Sequence, residues 1–428
     1  MPRKRTTVLL FTAAAAVIAT VVASILYYNA RPVPKRITSA LGEVPAVSDP
    51  AFRHTMEMLL GRPVTGGNQV TILKGGEAIY EAMLKEIAAA QHSITLEVYE
   101  FWGDEVAAAF ARALAKRAEE GLPVHVILDY MGSLQADPAF FEKMEEAGVD
   151  LIRWRRPSWY QSSRFNHRTH RKLMVADGRI GFTGGDNIAD AWVGNDPEET
   201  YQDYHFRFEG PITGHLQAAF MDNWLFSTGG LLLGDRYFPV LEEEGEIEAQ
   251  LVLSSPREGH KRIRSLALLA LAGAEERVRI GTAFFYPDPM MVEALGAASR
   301  RGVQVEILAP GEKIKEEWVR HASRNRWGNL LRAGVRIHEY QDSLYHAKMI
   351  IVDDKWVSIG SANFDNRSFR INDEANVNIF DAEFVREMHA VFEDDLSRAK
   401  PYELEAWEAR PWINRVRGFF GNLIGPHL

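Results

Sequence analysis

The sequence predicts an α/β fold with two similar α/β/α lobes built from an internal repeat, preceded by an N-terminal transmembrane helix. Three observations predict it: strand and helix patterns alternate, the second half repeats the order of the first, and an apolar run lies near the amino terminus. A chain of 428 residues is long enough for two or three domains with ample cores. With 46% hydrophobic and 25% charged residues the composition is globular, which excludes a disordered or polytopic membrane protein.

The amino-terminal segment has the pattern of a membrane anchor. Residues 3–5 are basic and precede an almost wholly apolar stretch, Val8–Tyr28. About 21 residues form a helix of about 31 Å, enough to cross a bilayer. A cleaved signal peptide is the alternative, but its apolar region is usually about 7–15 residues long. We therefore expect residues 1–45 to be an anchor and linker in the cell membrane, with the catalytic part on the extracytoplasmic side.

The rest of the sequence contains an internal repeat, in which a similar order of strands and helices occurs twice. Amphipathic periodicity predicts the helices and alternating or continuous apolar runs predict the strands. In the first half these are helix Glu77–Gln91, strand Ser93–Tyr99, helix Glu105–Glu119, strand Pro123–Asp129 and helix Pro138–Ala147. In the second half they are strand Arg277–Phe284, helix Met290–Arg300, strand Val303–Leu308 and helix Lys313–Leu331. This order is typical of βαβ units, so we expect mostly parallel sheets. The predicted lobes are residues 46–240 and 241–400, and residues 401–428 form a C-terminal amphipathic tail.

The strongest repeated signal is a motif that occurs once in each half at identical spacing. The first copy has His170-Arg171-Lys172, then Asp177 after four residues and Gly184-Gly185-Asp186-Asn187 after six more. The second has His346-Ala347-Lys348, Asp353 and Gly360-Ser361-Ala362-Asn363 at the same intervals. A single His-x-Lys carries little information, whereas two full copies inside an independent repeat are hard to obtain by chance.

These residue types suit the chemistry of a phosphodiester. Residues i and i+2 of a strand face the same side, so each His and its Lys point the same way. Ammonium groups neutralise the phosphate charge, a neutral imidazole can attack phosphorus, and a protonated one can give its proton to the leaving alcohol. An unperturbed imidazole pKa of ~6.5 allows either state near neutral pH. The candidate catalytic residues are His170, Lys172, Asp177, His346, Lys348 and Asp353. Glycine backbone and amide side chains can approach an anion closely, so the candidate phosphate-binding residues are Asn187, Asn363, Gly185 and Ser361.

Two roles within the motif have alternatives. Turn and packing roles are favoured over proton transfer for Asp177 and Asp353. A metal held by His167, His170 and Asp177 is disfavoured, because a lysine sits inside the cluster. We expect neither a metal nor a cofactor.

The repeated motif resembles that of the phospholipase D superfamily. Its context, in Gly184–Ile188, Asn363–Phe369, Glu209–Pro211 and Asn68–Leu73, is similar to bacterial cardiolipin synthases over residues 66–400. The resemblance implies a two-lobed α/β/α fold and metal-free phosphatidyl transfer through a phosphohistidine. It makes His170 the nucleophile and His346 the acid and then the base, with Asp203 and Glu374 as the acids that orient the histidines. The longer cardiolipin synthases tend to carry two spans, whereas this sequence has one.

The expected reaction joins two phosphatidylglycerol molecules into cardiolipin and glycerol. Phosphatidylethanolamine as donor, and hydrolysis by water, remain open. The expected partners are phospholipids and a membrane. A nucleic-acid phosphodiesterase is disfavoured by the net charge of −9, and a non-enzymatic scaffold by the two intact motifs. The absence of Cys excludes thiolate zinc sites and cysteine nucleophiles. The oligomeric state is not predicted.

Two flanking segments bear on membrane contact. Leu151–Ala176 contains no acid, and its basic and aromatic residues are expected to form a lip that docks on anionic headgroups, or else a loop packed on its own lobe. These residues are Arg153, Trp154, Arg155, Arg156, Trp159, Tyr160, Arg164, Phe165, Arg168, Arg171 and Lys172. The tail Trp407–Leu428 is predicted as an amphipathic helix, either at the membrane interface or docked on the second lobe.

Overall fold

The computed structural model describes residues 12, 14–24, 42–103, 105–156, 167–194, 200–255, 261–313, 317–415 and 417–418. Residues 12 and 14–24 are helical and exposed, and the rest of the predicted span Val8–Tyr28 lies outside the described residues. Among the described residues, no helix combines the length and apolarity that crossing a bilayer requires.

From residue 50 onward, the described part of the first half contains ten strands and five helices. The strands are β1 (Thr65–Lys74), β2 (Ile94–Val98), β3 (Phe101–Trp102), β4 (Val124–Asp129), β5 (Asp150–Trp154), β6 (Leu173–Ala176), β7 (Ile180–Gly184), β8 (Ile188–Ala189), β9 (Tyr201–Gln202) and β10 (Tyr204–Glu209). The helices are α1 (Pro50–Leu60), α2 (Gly76–Ala89), α3 (Val106–Glu119), α4 (Pro138–Glu146) and α5 (Ile212–Thr228), with a single 3₁₀ turn at Asp190–Trp192.

The second half repeats much of this order. Its strands are β11 (Ile247–Ser254), β12 (Arg277–Thr282), β13 (Phe285–Tyr286), β14 (Gln304–Pro310), β15 (Arg336–Tyr340), β16 (Leu344–Tyr345), β17 (Lys348–Val352), β18 (Trp356–Gly360), β19 (Phe364–Asp365), β20 (Glu374–Ile379) and β21 (Ala399–Pro401). Its helices are α6 (Arg262–Gly273), α7 (Pro289–Arg300), α8 (Glu317–Arg332), α9 (Asn366–Arg370), α10 (Ala382–Ser397) and α11 (Leu404–Glu408).

One mixed sheet of fifteen strands runs through both halves of the described chain, in the order β21-β15-β14-β12-β17-β18-β20-β11-β1-β10-β7-β6-β2-β4-β5. The halves join where β1 pairs with β11, at Thr65 with Ala249 and Asn68 with Ile247. Parallel pairing occurs in β2-β4-β5 and β12-β14-β15. The other neighbours in the sheet are antiparallel.

The expectation of mostly parallel sheets is therefore wrong. Helical crossovers join the parallel strands as expected, but each motif lies on a tight hairpin, β6–β7 or β17–β18. A hairpin can only add antiparallel strands, and these carry the sheet onward to β10 and β20.

The apolar core also crosses from one half to the other. One buried cluster contains side chains from strands of both halves and from α5 and α10, with the rings of Phe206 and Phe384 6.4 Å apart. Helix α1 packs on the second half, where the rings of Phe52 and Trp356 meet edge to face at 6.4 Å. The sheet and this shared core place the two motif hairpins in one body.

Candidate active site

The two histidines lie just before β6 and β17, at the end of the sheet that we call the site end. Both are buried, with 8% of each residue exposed. The backbone N–H of His170 donates to the carbonyl of Asp373 at 2.9 Å, and that of His346 donates to the carbonyl of Gln202 at 2.8 Å. Each histidine is thus anchored to the opposite half of the chain.

His170 is oriented by Glu374, which opens β20. Its Nδ1 lies 3.0 Å from Glu374 Oε2, and the Ser361 hydroxyl donates to the same oxygen at 2.5 Å. A hydrogen on Nδ1 leaves Nε2 with a lone pair. Burial lowers the pKa of His170 to about 4, against the opposing effect of Glu374, so the imidazole is neutral at neutral pH. Burial works to raise the pKa of Glu374, but His170, Lys172 and the Ser361 hydroxyl together hold that pKa below its ordinary value.

His346 is oriented by Asp203, the residue before β10. Its Nδ1 lies 2.5 Å from Asp203 Oδ2, which also receives the indole N–H of Trp192 at 3.3 Å. Burial, and then the charge of Lys348, lower the pKa of His346 to about 3 despite Asp203. Neither imidazole keeps the unperturbed pKa of ~6.5 expected from the sequence, because burial removes both rings from water and lowers both pKa values.

The orienting acids are exchanged between the halves. Asp203 belongs to the first half and holds the second-copy His346, while Glu374 belongs to the second half and holds the first-copy His170. The sequence named both acids but could not pair them with their histidines. The site therefore exists only where both halves meet.

Both motif lysines are buried beside the histidines. Lys172 donates to the backbone carbonyl of His170 at 2.8 Å, and its ammonium lies 5.5 Å from the ring centre of Tyr99. Lys348 donates to the backbone carbonyl of His346 and lies 3.7 Å from Asp203. Burial and the charge of Lys348 lower the pKa of Lys172 to about 7, and burial also lowers that of Lys348. Two desolvated cations in one site favour the binding of an anion.

The structure does not bring Asp177 and Asp353 to the histidines, so their place among the candidate catalytic residues is corrected. They sit at the far end of the hairpins, with positive φ angles of 57° and 50°. Asp177 accepts the backbone N–H groups of residues 91–93, and Asp353 those of residues 275–277. Each carboxylate ties a hairpin turn to the start of β2 or β12, which is a structural role.

The four candidate phosphate-binding residues lie at the site end, and their role stays a prediction. The Gly185 amide donates to the Tyr204 carbonyl at 3.0 Å, and a Cβ at Gly185 would lie 2.1 Å from Asp203 Oδ1. The Ser361 hydroxyl serves Glu374. The Asn187 carboxamide accepts the Glu100 N–H at 3.1 Å and donates to its carboxylate at 3.3 Å, while Asn363 Oδ1 is buried without a hydrogen bond. Three of the four thus support neighbouring residues.

Sequence reasoning missed two residues at the site. The ring of Tyr99 lies 5.3 Å from that of His170 and its hydroxyl receives a hydrogen bond from Arg168 at 2.9 Å. Asp186 is buried against Asp203, and burial and the charge of Asp203 raise its pKa well above the ordinary value. Asp186 sits inside the motif that was singled out, where Ala362 occupies the second copy, and that difference was the available signal.

The structure also shows where the residues of the disfavoured metal site and of the basic segment lie. The described residues contain no group of three or more His, Asp or Glu that could hold a metal ion. His167 Nδ1 lies 3.1 Å from the Ile371 carbonyl, and Asp177 is at the opposite end of the sheet from His170. In the basic segment, Trp154 and Arg171 are buried, and residues 157–166, including Trp159, Tyr160, Arg164 and Phe165, lie outside the described residues.

The start of the tail docks on the second half. The indole N–H of Trp407 donates to the Arg324 carbonyl of α8 at 2.6 Å, whereas Trp412 is 73% exposed. Residues 419–428 lie outside the described residues.

A mixed α/β body with two buried His–Lys pairs, each histidine held by an acid from the other half, defines a protein of the phospholipase D-like class. A family model described as "Cardiolipin synthase, PLD-like domain" matches residues 83–221 and 268–396. The chain belongs to this family, which confirms the resemblance read from the motifs.

Comparisons with individual proteins agree with this family assignment. The chain is 32% identical over 372 residues to a cardiolipin synthase of Geobacillus kaustophilus, covering 86% of this chain and 74% of that one. It is 32% identical over 371 residues to the major cardiolipin synthase of Bacillus subtilis, covering 85% and 76%. The crystal structure of a phosphatidylserine synthase from Haemophilus influenzae has the same fold, with a TM-score of 0.68 at 12% identity, covering 88% of this chain and 100% of that one.

Proposed function

We propose that this protein is a phosphatidyltransferase of the cardiolipin synthase type, which joins two phosphatidylglycerol molecules into cardiolipin and glycerol. The observation that carries the proposal is the pair of buried histidines, each oriented by a carboxylate and flanked by a lysine. Membership of the cardiolipin synthase family supports the substrate class.

In the first step, Nε2 of His170 attacks the phosphorus of the donor lipid. Its lowered pKa keeps it neutral, and the hydrogen on Nδ1 toward Glu374 directs the lone pair of Nε2 at the substrate. A P–N bond forms and the P–O bond to glycerol breaks. Glu374 stabilises the positive charge that develops on the imidazole, as the carboxylate of a hydrolase triad does.

The leaving glycerol needs a proton, and His346 is the group to supply it. Burial and the charge of Lys348 lower the pKa of His346 and so disfavour its protonated form. A bound phosphodiester brings a negative charge that offsets Lys348 and raises the pKa of His346 toward the working range. Substrate binding thereby favours the protonated form of His346, which is the form that acts as general acid.

In the second step, neutral His346 takes the proton from a hydroxyl of the acceptor phosphatidylglycerol. The resulting oxygen attacks phosphorus, the P–N bond breaks, and His170 returns to its starting state. Water in place of the lipid hydroxyl would give phosphatidic acid, so transfer requires that the acceptor lipid excludes water from the buried site.

The proposed location is the cell membrane. The apolar stretch Val8–Tyr28 supports a single-pass anchor in that membrane. The net charge of −9 supports phospholipid rather than nucleic acid as substrate.

A lipid-product assay tests the proposal. Purified protein with phosphatidylglycerol in mixed micelles is expected to release cardiolipin and glycerol in equal amounts. His170→Asn keeps a donor toward Glu374 but has no nucleophile, so it is expected to form no cardiolipin. His389→Asn is the matched control, because His389 is a buried histidine that bonds the Asp353 carbonyl at 2.8 Å, at the opposite end of the sheet. Phosphatidic acid without cardiolipin would instead identify a hydrolase.

A further inference from the structure

A group of large apolar side chains is exposed where α5 ends. The exposed fractions are 42% for Leu225, 46% for Phe226, 56% for Leu231 and 68% for Leu233. Four such residues within nine positions differ from the scattered apolar residues of an ordinary surface, and a contiguous exposed patch marks an interaction site. We call these four residues the α5 apolar surface.

The α5 apolar surface lies at the site end of the sheet. Strand β10 leaves the site at Asp203, and α5 follows it back, so the helix ends where β10 began. Near that end, the Asn223 carboxamide donates to Glu97 Oε1 at 2.6 Å, and the Thr169 hydroxyl bonds the same carboxylate. Thr169 is the residue before His170. The end of α5 is therefore two side chains away from the proposed nucleophile.

Basic residues border this surface. Trp154 ends β5 at the site end, and its ring lies 5.3 Å from that of Phe226. The guanidinium of Arg155 lies 5.4 Å from the Trp154 ring and 5.9 Å from the Phe226 ring. Arg156 is exposed next to it. Apolar side chains beside cationic ones are complementary to a bilayer with anionic headgroups, where the first enter the acyl boundary and the second meet phosphate.

We propose that the α5 apolar surface inserts into the interface of an anionic phospholipid bilayer and so holds the mouth of the site against the headgroups. The choice of a bilayer as occupant rests on the proposed function, because phosphatidylglycerol resides in a membrane. Docking lets the headgroup of the substrate reach His170 while its acyl chains stay in the bilayer. The free-energy cost of transferring those chains into water is thereby avoided.

The chain offers a matched control at the opposite end of the sheet. Val240 is 88% exposed, more than any residue of the α5 apolar surface. By residue 237 the chain has crossed to the far end, since a Cβ at Gly178, beside the Asp177 turn, would lie 2.4 Å from the Tyr237 carbonyl and 2.5 Å from Pro239 Cδ. Val240 is thus an apolar and well-exposed side chain that follows directly on residues at the far end of the sheet.

Site-directed fluorescence tests the contact directly, and the absence of native Cys makes single labels unique. Full-length Leu233→Cys and Val240→Cys carry an environment-sensitive fluorophore and are reconstituted in vesicles of phosphatidylglycerol and phosphatidylcholine. At position 233 we expect a blue shift and quenching by lipids with nitroxide-labelled acyl chains; at position 240 we expect neither. Equal responses at both positions, or no response at 233, would overturn the proposal.

Activity supplies a second readout. Leu231→Ser with Leu233→Ser is expected to lower turnover of vesicle phosphatidylglycerol about tenfold or more. The same variant should match the parent on short-chain phosphatidylglycerol below its critical micelle concentration, and Val240→Ser should match it on both. An equal loss on dispersed substrate would mean a folding or site defect and would count against the proposal. If no protein turns over lipid, the proposed function fails, while the fluorescence result still decides whether the surface docks.

Discussion

The histidine pairs are unequal in their surroundings, although the motifs that carry them match in spacing. Among the described residues, Lys172 hydrogen-bonds the backbone carbonyl of His170, whereas Lys348 lies 2.6 Å from Nδ1 of His346 and also near Asp203. Asp186 lies next to Asp203, and the corresponding position of the second motif copy is Ala362. These differences fit a division of labour in which His170 acts as the nucleophile and His346 gives and takes the proton.

The orienting acids give the first prediction. Asp203→Asn and Glu374→Gln keep the shape of the side chain but remove the charge that stabilises each imidazolium. We expect each to lower kcat for cardiolipin formation about 10²-fold or more. Asp395→Asn is the control, since Asp395 is fully buried and bonds the Tyr204 hydroxyl at 2.9 Å without touching either histidine. Wild-type rates in Asp203→Asn or Glu374→Gln would exclude the orienting role.

The pH dependence of substrate binding gives the second prediction. The pKa of Lys172 is lowered to about 7, so the ammonium is charged below pH 7 and loses its proton as the pH rises through that value. Binding of an anionic lipid should weaken accordingly, and KM should rise above about pH 7. Arginine stays charged throughout this range, so Lys172→Arg should abolish the inflection. An inflection that survives in Lys172→Arg would assign it to another group. His170 contributes none there, because its pKa of about 4 lies well below.

At the scale of elements, the motif hairpins separate chemistry from architecture along their length. The histidine and lysine stand at the site end, and the aspartate closes the far end by binding three consecutive backbone N–H groups. Asp and Asn suit this position best, because they tolerate a positive φ and their side-chain oxygen accepts hydrogen bonds from nearby backbone N–H groups.

The third prediction tests this division. Asp177→Ala leaves three backbone donors without their acceptor and should lower the free energy of unfolding by about 1–3 kcal/mol. Asp177→Asn retains an acceptor oxygen and tolerates the positive φ, so its loss should be smaller. In both variants kcat per folded molecule should stay at the wild-type value. Denaturant unfolding and active-site-normalised rates make the comparison; a stable but inactive Asp177→Asn would restore the aspartate to the catalytic set.

The sequence predicts an element well when the interactions that form it lie between residues close together in the chain. Helices with strong periodicity begin and end within a residue or two of the expected bounds, as α3 at Val106–Glu119 and α7 at Pro289–Arg300 do. Sheet direction was mispredicted, because strand pairing depends on partners far away in the chain. The motif located both histidines and lysines by spacing alone. The pairing of Asp203 with His346 spans 143 residues and could not be read from any local pattern.

At the scale of the whole molecule, the continuous sheet makes the two halves one catalytic unit. Since each histidine and its acid belong to the same chain, a molecule that lacks one histidine cannot borrow it from another. We therefore predict that mixing His170→Asn with His346→Asn restores no cardiolipin synthesis at any ratio. Each variant is assayed alone and in the mixture after joint unfolding and refolding, with wild-type protein treated identically as the control. Recovered activity in the mixture would show that halves exchange between chains.

The exchange of acids between the halves has a further consequence. A contact in which residue i of one unit meets residue j of another, and j meets i in return, is the signature of a twofold axis. His170 with Glu374 and His346 with Asp203 form such a reciprocal pair. The chain therefore has the geometry of a symmetric dimer fused into a single polypeptide. In a true homodimer every substitution appears on both sides of the axis, so the two histidines must stay alike. Fusion releases that constraint, and Asp186 opposite Ala362 and Gly185 opposite Ser361 are substitutions that only a pseudosymmetric chain can hold.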